Sequence, residues 1–452
     1  MAAAQASFPA RAVSFVPVAQ VFARPRAGES VLGWRAGSPV TWAQFSARVS
    51  ALASSIDSRI DSRIDSDCVL ACEKPLNFLA AMLAVWCRRR VVLVPASLHA
   101  VSEMAGTVIR DADVEEAKGS SELSLPPAAQ CRLALYTSGS TGTPKRVDKT
   151  LAQLDRELEN LQALWGDVLA DCAVLATVPH HHIYGLLFRL LWPLAAGRPA
   201  DETTSGDAVE LRAAARRHGK HVLVSTPAQL DRFPGLLALG EWQRPEIIFS
   251  SGGPLSAPTA ALYRGSFGAA PIEVFGSTET GGVAWRRRDG GAHEDVWQTF
   301  PGIEVGTDAD GALLLDSAYL PTRSWRMDDG AALLGQGRFV LLGRLDRVVK
   351  IEGKRLSLPE LEQRLQTHPW VAAAAAVPLP APRRLGVVVV PTPTGAAALE
   401  QQGPRAMGEA LRRHLAPNFD ATLLPKRFRF VKELPISERG KVISQELVQL
   451  FA

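Results

Sequence analysis

Apolar side chains at Phe45, Val49, Leu52 and Ile56 recur every three to four residues, which predicts an amphipathic helix over Thr41–Ile56. The helix runs into a four-residue repeat, Ile56-Asp57-Ser58-Arg59 and onward to Ser66. That spacing keeps the isoleucines on one helical face and sets Asp against Arg on another, so the repeat reads as a lengthened surface helix. Continuous apolar runs at Cys68–Cys72 and Val91–Pro95 predict buried strands flanking a helix over Leu76–Trp86. Strand and helix patterns alternate as far as Pro271–Phe275, the arrangement expected of α/β layers with a substantially parallel sheet. From Asp308 to Gly343, glycines and short apolar runs give meander-like β material. Beyond residue 343 the pattern becomes helix (Pro359–Gln366), strand (Val371–Val377), strand (Leu385–Val390), helix (Ala406–Leu415) and strand (Arg427–Val431), a compact α+β unit. The domains expected are therefore 1–343 and 344–452.

Composition narrows the classes. A chain of 452 residues is too long for one ordinary core. With 47% hydrophobic and 21% charged residues it is neither disordered nor fibrous. A net charge of +4 gives no electrostatic reason to expect nucleic acid as a partner. From Arg347 on, however, 16 basic side chains stand against 9 acidic ones, so the small domain is the basic one. The five cysteines form no CxxC pair and read as buried free thiols rather than a metal site. Apolar windows are too short, or broken by Arg189, Pro193 and Pro378, for the ~20 residues of a membrane span. Arg11 followed by Ala12–Ala23 faintly mimics a signal peptide, but Pro17 and Gln20 interrupt it; it reads as a first strand, and a cytoplasmic protein is expected.

The strongest local chemistry is an apolar strand, Leu133–Tyr136, running into Thr137-Ser138-Gly139-Ser140-Thr141-Gly142-Thr143-Pro144-Lys145. Glycines let backbone amides approach phosphate oxygens, hydroxyls donate to them, and the lysine adds charge. Pro144 directly before Lys145 sets the loop apart from a Walker A sequence. Further along lie Phe275-Gly-Ser-Thr-Glu279-Thr-Gly281, Asp329 ahead of Gly337-Arg338-Phe339, Gly343-Arg344-Leu-Asp346 continuing to Lys350 and Gly353, and Leu434 to Val442 with Gly440-Lys441.

In this order the five segments resemble the signatures of the adenylate-forming superfamily: acyl- and aryl-CoA ligases, peptide-synthetase adenylation domains and luciferases. The resemblance spans Thr41 to Lys441. It implies an α/β fold, with a large N-terminal region of layered, mostly parallel sheets plus a small β-barrel, and a small mobile C-terminal α+β domain hinged at Asp346. The reaction implied is attack of a carboxylate on the α-phosphate of ATP, then transfer of the acyl group to a phosphopantetheine thiol, of coenzyme A or of an acyl carrier protein.

The resemblance also implies residue roles. Thr137, Ser138, Gly139, Ser140, Thr141, Gly142 and Lys145 would cradle phosphate. Gly253, Phe275, Gly276 and Ser277 would border adenine, with Phe275 standing where a tyrosine is usual. Asp329 and Arg344 would hold ribose. Glu279, with Thr141, would bind Mg²⁺, and Thr278 would donate to the α-phosphate. Lys441 would stabilise charge developing during adenylation. Asp346, Lys350 and Gly353 would serve the hinge and the thiol step. His181, His182, Ser225, Ser251, Gly252, Gly276 and Gly281 would line the acyl pocket, with His182 a gate beside the carboxylate.

Zinc on the three histidines of Val178–Gly185 is disfavoured, because consecutive strand residues point to opposite faces. The absence of an Asp in 178–186 argues against an α-amino acid substrate. The sequence pattern suits a planar, hydroxybenzoate-like acid and somewhat resembles ligases of aryl-polyene pathways. A medium-chain fatty acyl-CoA ligase and a non-catalytic ATP-binding interaction module are the alternatives. Departures from the family pattern are Arg146, where glycine is usual after the lysine, Met327-Asp328 before the ribose aspartate, and Arg88–Arg90.

Overall fold

The computed structural model describes residues 15–59, 67–97, 101, 104–137, 145–204, 206–236, 238–291, 293–320, 322, 324–345, 347–351, 354–379, 384–435 and 444–451. The chain divides into two compact units, one made of Met1–Glu304 with Asp316–Trp325 and the other of Val305–Leu315 with Arg326–Ala452. This division groups the strands just ahead of residue 344 with the C-terminal part of the chain, whereas the sequence pattern had grouped them with the core.

The first unit holds two sheets. In one, Thr107–Ile109, Cys68–Leu70, Val92–Val94 and Arg132–Thr137 run parallel, and Lys145–Thr150 closes the edge antiparallel. The other contains, in spatial order, Val296–Thr299, Gly281–Arg287, Ile272–Ser277, Ile247–Ser250, His221–Ser225, Ala173–Ala176, Ala200–Thr204, Val31–Arg35 and Ser38–Thr41. Its six middle strands, from Ile272–Ser277 to Val31–Arg35, are parallel, as the βα alternation required. Strands of this kind are buried on both faces, which explains why His221–Ser225 and Ala173–Ala176 are buried at every position. Helices Ala208–His218, Pro227–Leu236 and Ala257–Phe267 pack on one face through Leu211, Leu230, Phe233 and Tyr263 against Leu175, Leu223 and Ile248.

The helix predicted over Leu76–Trp86 spans Pro75–Cys87, started by proline at its first position and buried along its whole length. The predicted helix over Thr41–Ile56 extends over Trp42–Arg59; residues 60–66 of the repeat lie outside the described residues. All five cysteines are free and buried.

Two local expectations fail. The segment read as a first strand forms a short 3₁₀ turn, Val18–Gln20, and the first strand is Val31–Arg35. The cause is remote: the Asp155 carboxylate accepts from the amides of Val18 (2.8 Å) and Ala19 (3.0 Å), which fixes a turn where a ladder would have competed. The three histidines occupy a turn ahead of the short helix Ile183–Gly185, not a strand, so alternation of faces does not govern them.

In the second unit, strands Glu304–Thr307, Ala312–Asp316, Ser324–Gly335 and Arg338–Arg344 lie side by side in chain order. The hairpin Val348–Ile351/Lys354–Ser357 is antiparallel. A three-stranded sheet follows, with Val371–Leu379 antiparallel to Arg384–Pro391, and Arg427–Phe430 parallel to the latter. Its core gathers Leu361, Leu365, Val387, Val389, Leu411 and Leu415. The helix predicted over Ala406–Leu415 is the second half of Pro393–Leu415, which breaks at Gly403, where φ is 77°. Pro404 follows and could not have continued the first half.

Candidate active site

Strands Arg132–Thr137 and Lys145–Thr150 form a hairpin in which Thr137 faces Lys145, and the Thr137 hydroxyl donates to the Lys145 carbonyl at 3.3 Å. Ser138, Gly139, Ser140, Thr141 and Gly142, which connect these strands, lie outside the described residues. From the return strand, Lys145 Nζ reaches Glu279 Oε1 at 2.7 Å. Burial pushes the Glu279 carboxyl up, but the hydrogen bond and charge of Lys145 outweigh it and hold the group below its ordinary value. Arg146, which replaces the usual glycine, turns to Asp148 on its own strand at 2.8 Å.

Glu279 sits in a tight turn between Ile272–Ser277 and Gly281–Arg287. Two reciprocal contacts set that turn: the Ser277 amide donates to Thr280 Oγ1 at 3.0 Å, and the Thr280 amide to Ser277 Oγ at 3.2 Å. Gly281 takes φ of 69°, and a Cβ there would lie 2.5 Å from Glu157 Oε2. A side chain on Gly276 would meet the Gly281 carbonyl at 2.1 Å. Both glycines are therefore required by close approach. Phe275, half-buried, packs its ring against Trp297 with centroids 5.5 Å apart. The turn offers one carboxylate, a hard oxygen donor of the kind a divalent cation takes, and beside it the Lys145 ammonium suits the oxygens of a phosphate.

Sequence reasoning missed two residues here. Lys149 Nζ donates to the backbone carbonyl of Glu279 at 2.6 Å, and Glu157 Oε1 accepts from the Gly282 amide at 2.7 Å. Both side chains are only 4% exposed. Burial lowers the Lys149 pKa and pushes that of Glu157 up to about 7, against the opposing pull of the Gly282 hydrogen bond and the Lys149 charge.

The expected pocket residues are brought together in part. Ser225 and Ser250 stand opposite each other at the carboxyl ends of adjacent parallel strands, where ligands of α/β sheets bind. The Ser225 hydroxyl meets that of Thr177 at 2.9 Å, and Ser251 donates to the Val274 carbonyl at 2.8 Å. Gly252 adopts φ of 90°, and Gly253 follows beside Pro227. His181 and His182 are half-buried with ring centroids 4.4 Å apart. His180, not singled out from sequence, is the buried member of the three. Its Nε2 donates to the Cys72 carbonyl at 3.0 Å, and burial, with the Arg189 charge, pushes its pKa down to about 3, so it is a neutral donor.

In the second unit, Asp329 lies directly opposite Arg344 in the pairing of Ser324–Gly335 with Arg338–Arg344. The guanidinium spans Asp329 Oδ2 at 3.7 Å and Asp328 Oδ2 at 3.4 Å. The unusual Asp328 thus gives Arg344 a second carboxylate, and Met327 is buried. Lys350 lies on the strand Val348–Ile351 opposite Arg355. Asp346, Gly353 and Lys441 lie outside the described residues.

Among the described residues, no helix is long and apolar enough to cross a membrane. Residues 110–306 match the sequence model of the AMP-binding enzyme family, and residues 360–441 match that of the AMP-binding enzyme C-terminal domain. A 4-coumarate–CoA ligase of Rhodobacter capsulatus is 32% identical over 311 residues, 68% of this chain and 73% of that protein. A 4-coumarate–CoA ligase of Cereibacter sphaeroides is 29% identical over 69% of this chain and 70% of the relative. In fold, the chain is similar to a benzoate CoA ligase from Burkholderia xenovorans, with a TM-score of 0.75, 19% identity, and 93% and 96% of the two chains covered. It is similar also to ATP-bound MatB from Rhodopseudomonas palustris, with a TM-score of 0.77, 18% identity, and 96% and 98% covered. The ordered motifs, the hairpin that brings Lys145 to Glu279 and these similarities lead to one conclusion: the chain belongs to the adenylate-forming superfamily of AMP-binding enzymes.

Proposed function

We propose that this enzyme uses ATP to activate a carboxylic acid as its acyl-AMP and then transfers the acyl group to the thiol of coenzyme A. The observation that carries the reading is the Lys145–Glu279 contact at 2.7 Å, which joins the phosphate-binding hairpin to the turn expected to hold the nucleotide's metal. In adenylation the acid's oxygen bonds to the α-phosphorus as the bond to pyrophosphate breaks. The protein's share is positioning and neutralisation of charge. Thr137, Lys145 and the loop from Ser138 to Gly142 would hold phosphate oxygens, and Thr278 would donate to the α-phosphate. Glu279, with Thr141, would hold Mg²⁺, which shields the phosphates. Phe275 would stack on adenine beside Gly253, Gly276 and Ser277, and Asp329 would accept from the ribose hydroxyls with Arg344 beside it. Lys441 would meet the developing charge, and Asp346, Lys350 and Gly353 would serve the change to thiol transfer.

The acid is an aromatic, hydroxybenzoate-like one in this reading. The small residues Ser225, Ser251 and Gly252 would border a planar ring, with His182 a gate beside its carboxylate and His181 a neighbour in the pocket, and the relatives named above include two 4-coumarate–CoA ligases and a benzoate CoA ligase. The net basic charge of the chain from Arg347 on suits the phosphates of coenzyme A, and equally an acidic carrier protein as alternative acceptor. ATP–pyrophosphate exchange across benzoic, cinnamic and fatty acids, followed by addition of coenzyme A or a phosphopantetheinylated carrier, tests the proposal. Exchange with hydroxylated aryl acids and thioester formed on coenzyme A is expected. Exchange with no acid at saturating ATP would overturn it.

A further inference from the structure

Lys149 and Glu157 are two buried ionisable side chains that the chemistry above does not use. Taking each out of water costs several kcal/mol unless a partner compensates. Their partners are the two ends of one turn. Lys149 Nζ holds the Glu279 carbonyl at 2.6 Å and approaches the Tyr319 carbonyl at 3.4 Å, while Glu157 Oε1 holds the Gly282 amide at 2.7 Å. Lys145 and Lys149 are four residues apart on one strand, so both point to the same face. One takes the carboxylate of Glu279 and the other its backbone. The helix that follows, Leu151–Trp165, supplies Glu157 and, three residues on, Asn160, which donates to the Pro301 carbonyl at 2.7 Å and to the Tyr319 hydroxyl. Side chains on Gly281 or Gly282 would lie 2.5 or 3.0 Å from the Glu157 carboxylate, so the glycine pair is also the seat of that carboxylate.

We infer that Lys149 and Glu157 are positioning residues, a buried clamp that aims the Glu279 carboxylate at the metal carried by ATP. The inference rests on the proposed role of Glu279 in holding that metal. A clamp of this kind acts on the metal–nucleotide complex and not on the acid. A purely structural pair would shift stability alone.

The test compares Lys149→Met, which keeps chain length without a donor, with Lys149→Arg, which keeps the charge. Binding of MgATP and of ATP in excess chelator is measured by calorimetry without acid, beside the Mg²⁺ dependence and KM values of ATP–pyrophosphate exchange. Lys149→Met is expected to weaken MgATP binding by roughly 10- to 100-fold, as loss of one charged hydrogen bond implies. Binding of metal-free ATP and the KM for acid should remain near wild type, and Lys149→Arg should restore much of the loss. If Lys149→Met does not fold, Lys149→Gln, too short to reach the carbonyl, carries the same comparison. A folded variant with lower melting temperature and unaltered MgATP affinity overturns the clamp. Absence of exchange in the wild type would overturn the proposed activity instead, and the calorimetry would still decide the clamp. Equal weakening of MgATP and metal-free ATP would also overturn it.

Discussion

Two carboxylate–cation pairs stand at the nucleotide-related motifs, and the fold builds them in opposite ways. Asp329 and Arg344 face each other by strand register, a short-range device in which the hairpin itself delivers both side chains. Lys145 and Glu279 come from segments 134 residues apart, and their meeting needs a second layer of buried polar contacts from Lys149 and Glu157. Exposure does not separate them: the cations are 45% and 58% exposed and the carboxylates 13% and 22%, so the difference lies in what holds each pair together. A register pair tolerates substitution of its cation because the ladder persists. A pair held by tertiary contacts passes any disturbance to the carboxylate.

The largest effect that would test this contrast is loss of the Glu279 charge. Glu279→Gln is expected to slow ATP–pyrophosphate exchange by about 10²–10³-fold, the typical cost of one preorganised electrostatic contact. A loss no greater than that of Asp329→Asn would erase the distinction.

Next comes pH. Burial pushes the Glu157 carboxyl up to about 7 in the folded protein, from an ordinary 4.5. The contribution of a raised acid is fully present below its unfolded pKa and is lost as pH rises through the folded one. Between pH 4.5 and 8.5, urea unfolding should show wild type losing roughly 3 kcal/mol relative to Glu157→Gln, most of it between pH 5 and 7 and levelling off above pH 7. Asp155, pushed to about 6 by burial, titrates in the same direction at lower pH. Parallel pH curves for wild type and Glu157→Gln would mean that the carboxylate is not the buried group described.

Asp329→Asn should act less strongly. An aspartate accepting from ribose hydroxyls loses one charged hydrogen bond, so a rise in the KM for ATP of roughly 10- to 100-fold is expected, with kcat little changed. An equal fall in kcat would place Asp329 in the chemical step instead.

The same contrast separates what the sequence discloses from what it hides. Lys145, Glu279, Asp329 and Arg344 stand in ordered motifs with Gly and Ser neighbours whose backbone chemistry is local, and the parallel sheet follows from continuous apolar runs such as His221–Ser225. Lys149 and Glu157 instead look like the solvated side of a strand and an amphipathic helix. Their partners, the Glu279 and Tyr319 carbonyls for Lys149 and the Gly282 amide for Glu157, lie more than a hundred residues away. The turn at Val18–Gln20 was hidden for the same reason, since its partner is Asp155. His180 was unreadable because its burial depends on a turn that brings it to Cys72.

The smallest expected effect is the most pointed. Arg344 contacts Asp329 at 3.7 Å and Asp328 at 3.4 Å from a partly exposed position, and exposed ion pairs of this kind are worth about 0.2–1 kcal/mol. The five remaining paired positions, including Gly330 with Gly343 and Leu333 with Phe339, hold the strand register without the charge. Arg344→Gln should therefore lower stability by less than about 1 kcal/mol, and that small loss should shrink further in 1 M salt, where the screening length is about 3 Å. Chemical denaturation at low and high salt measures both. A loss of several kcal/mol that salt leaves unchanged would show that Arg344 is structural to its hairpin. The register pair would then be no more tolerant than the clamped one.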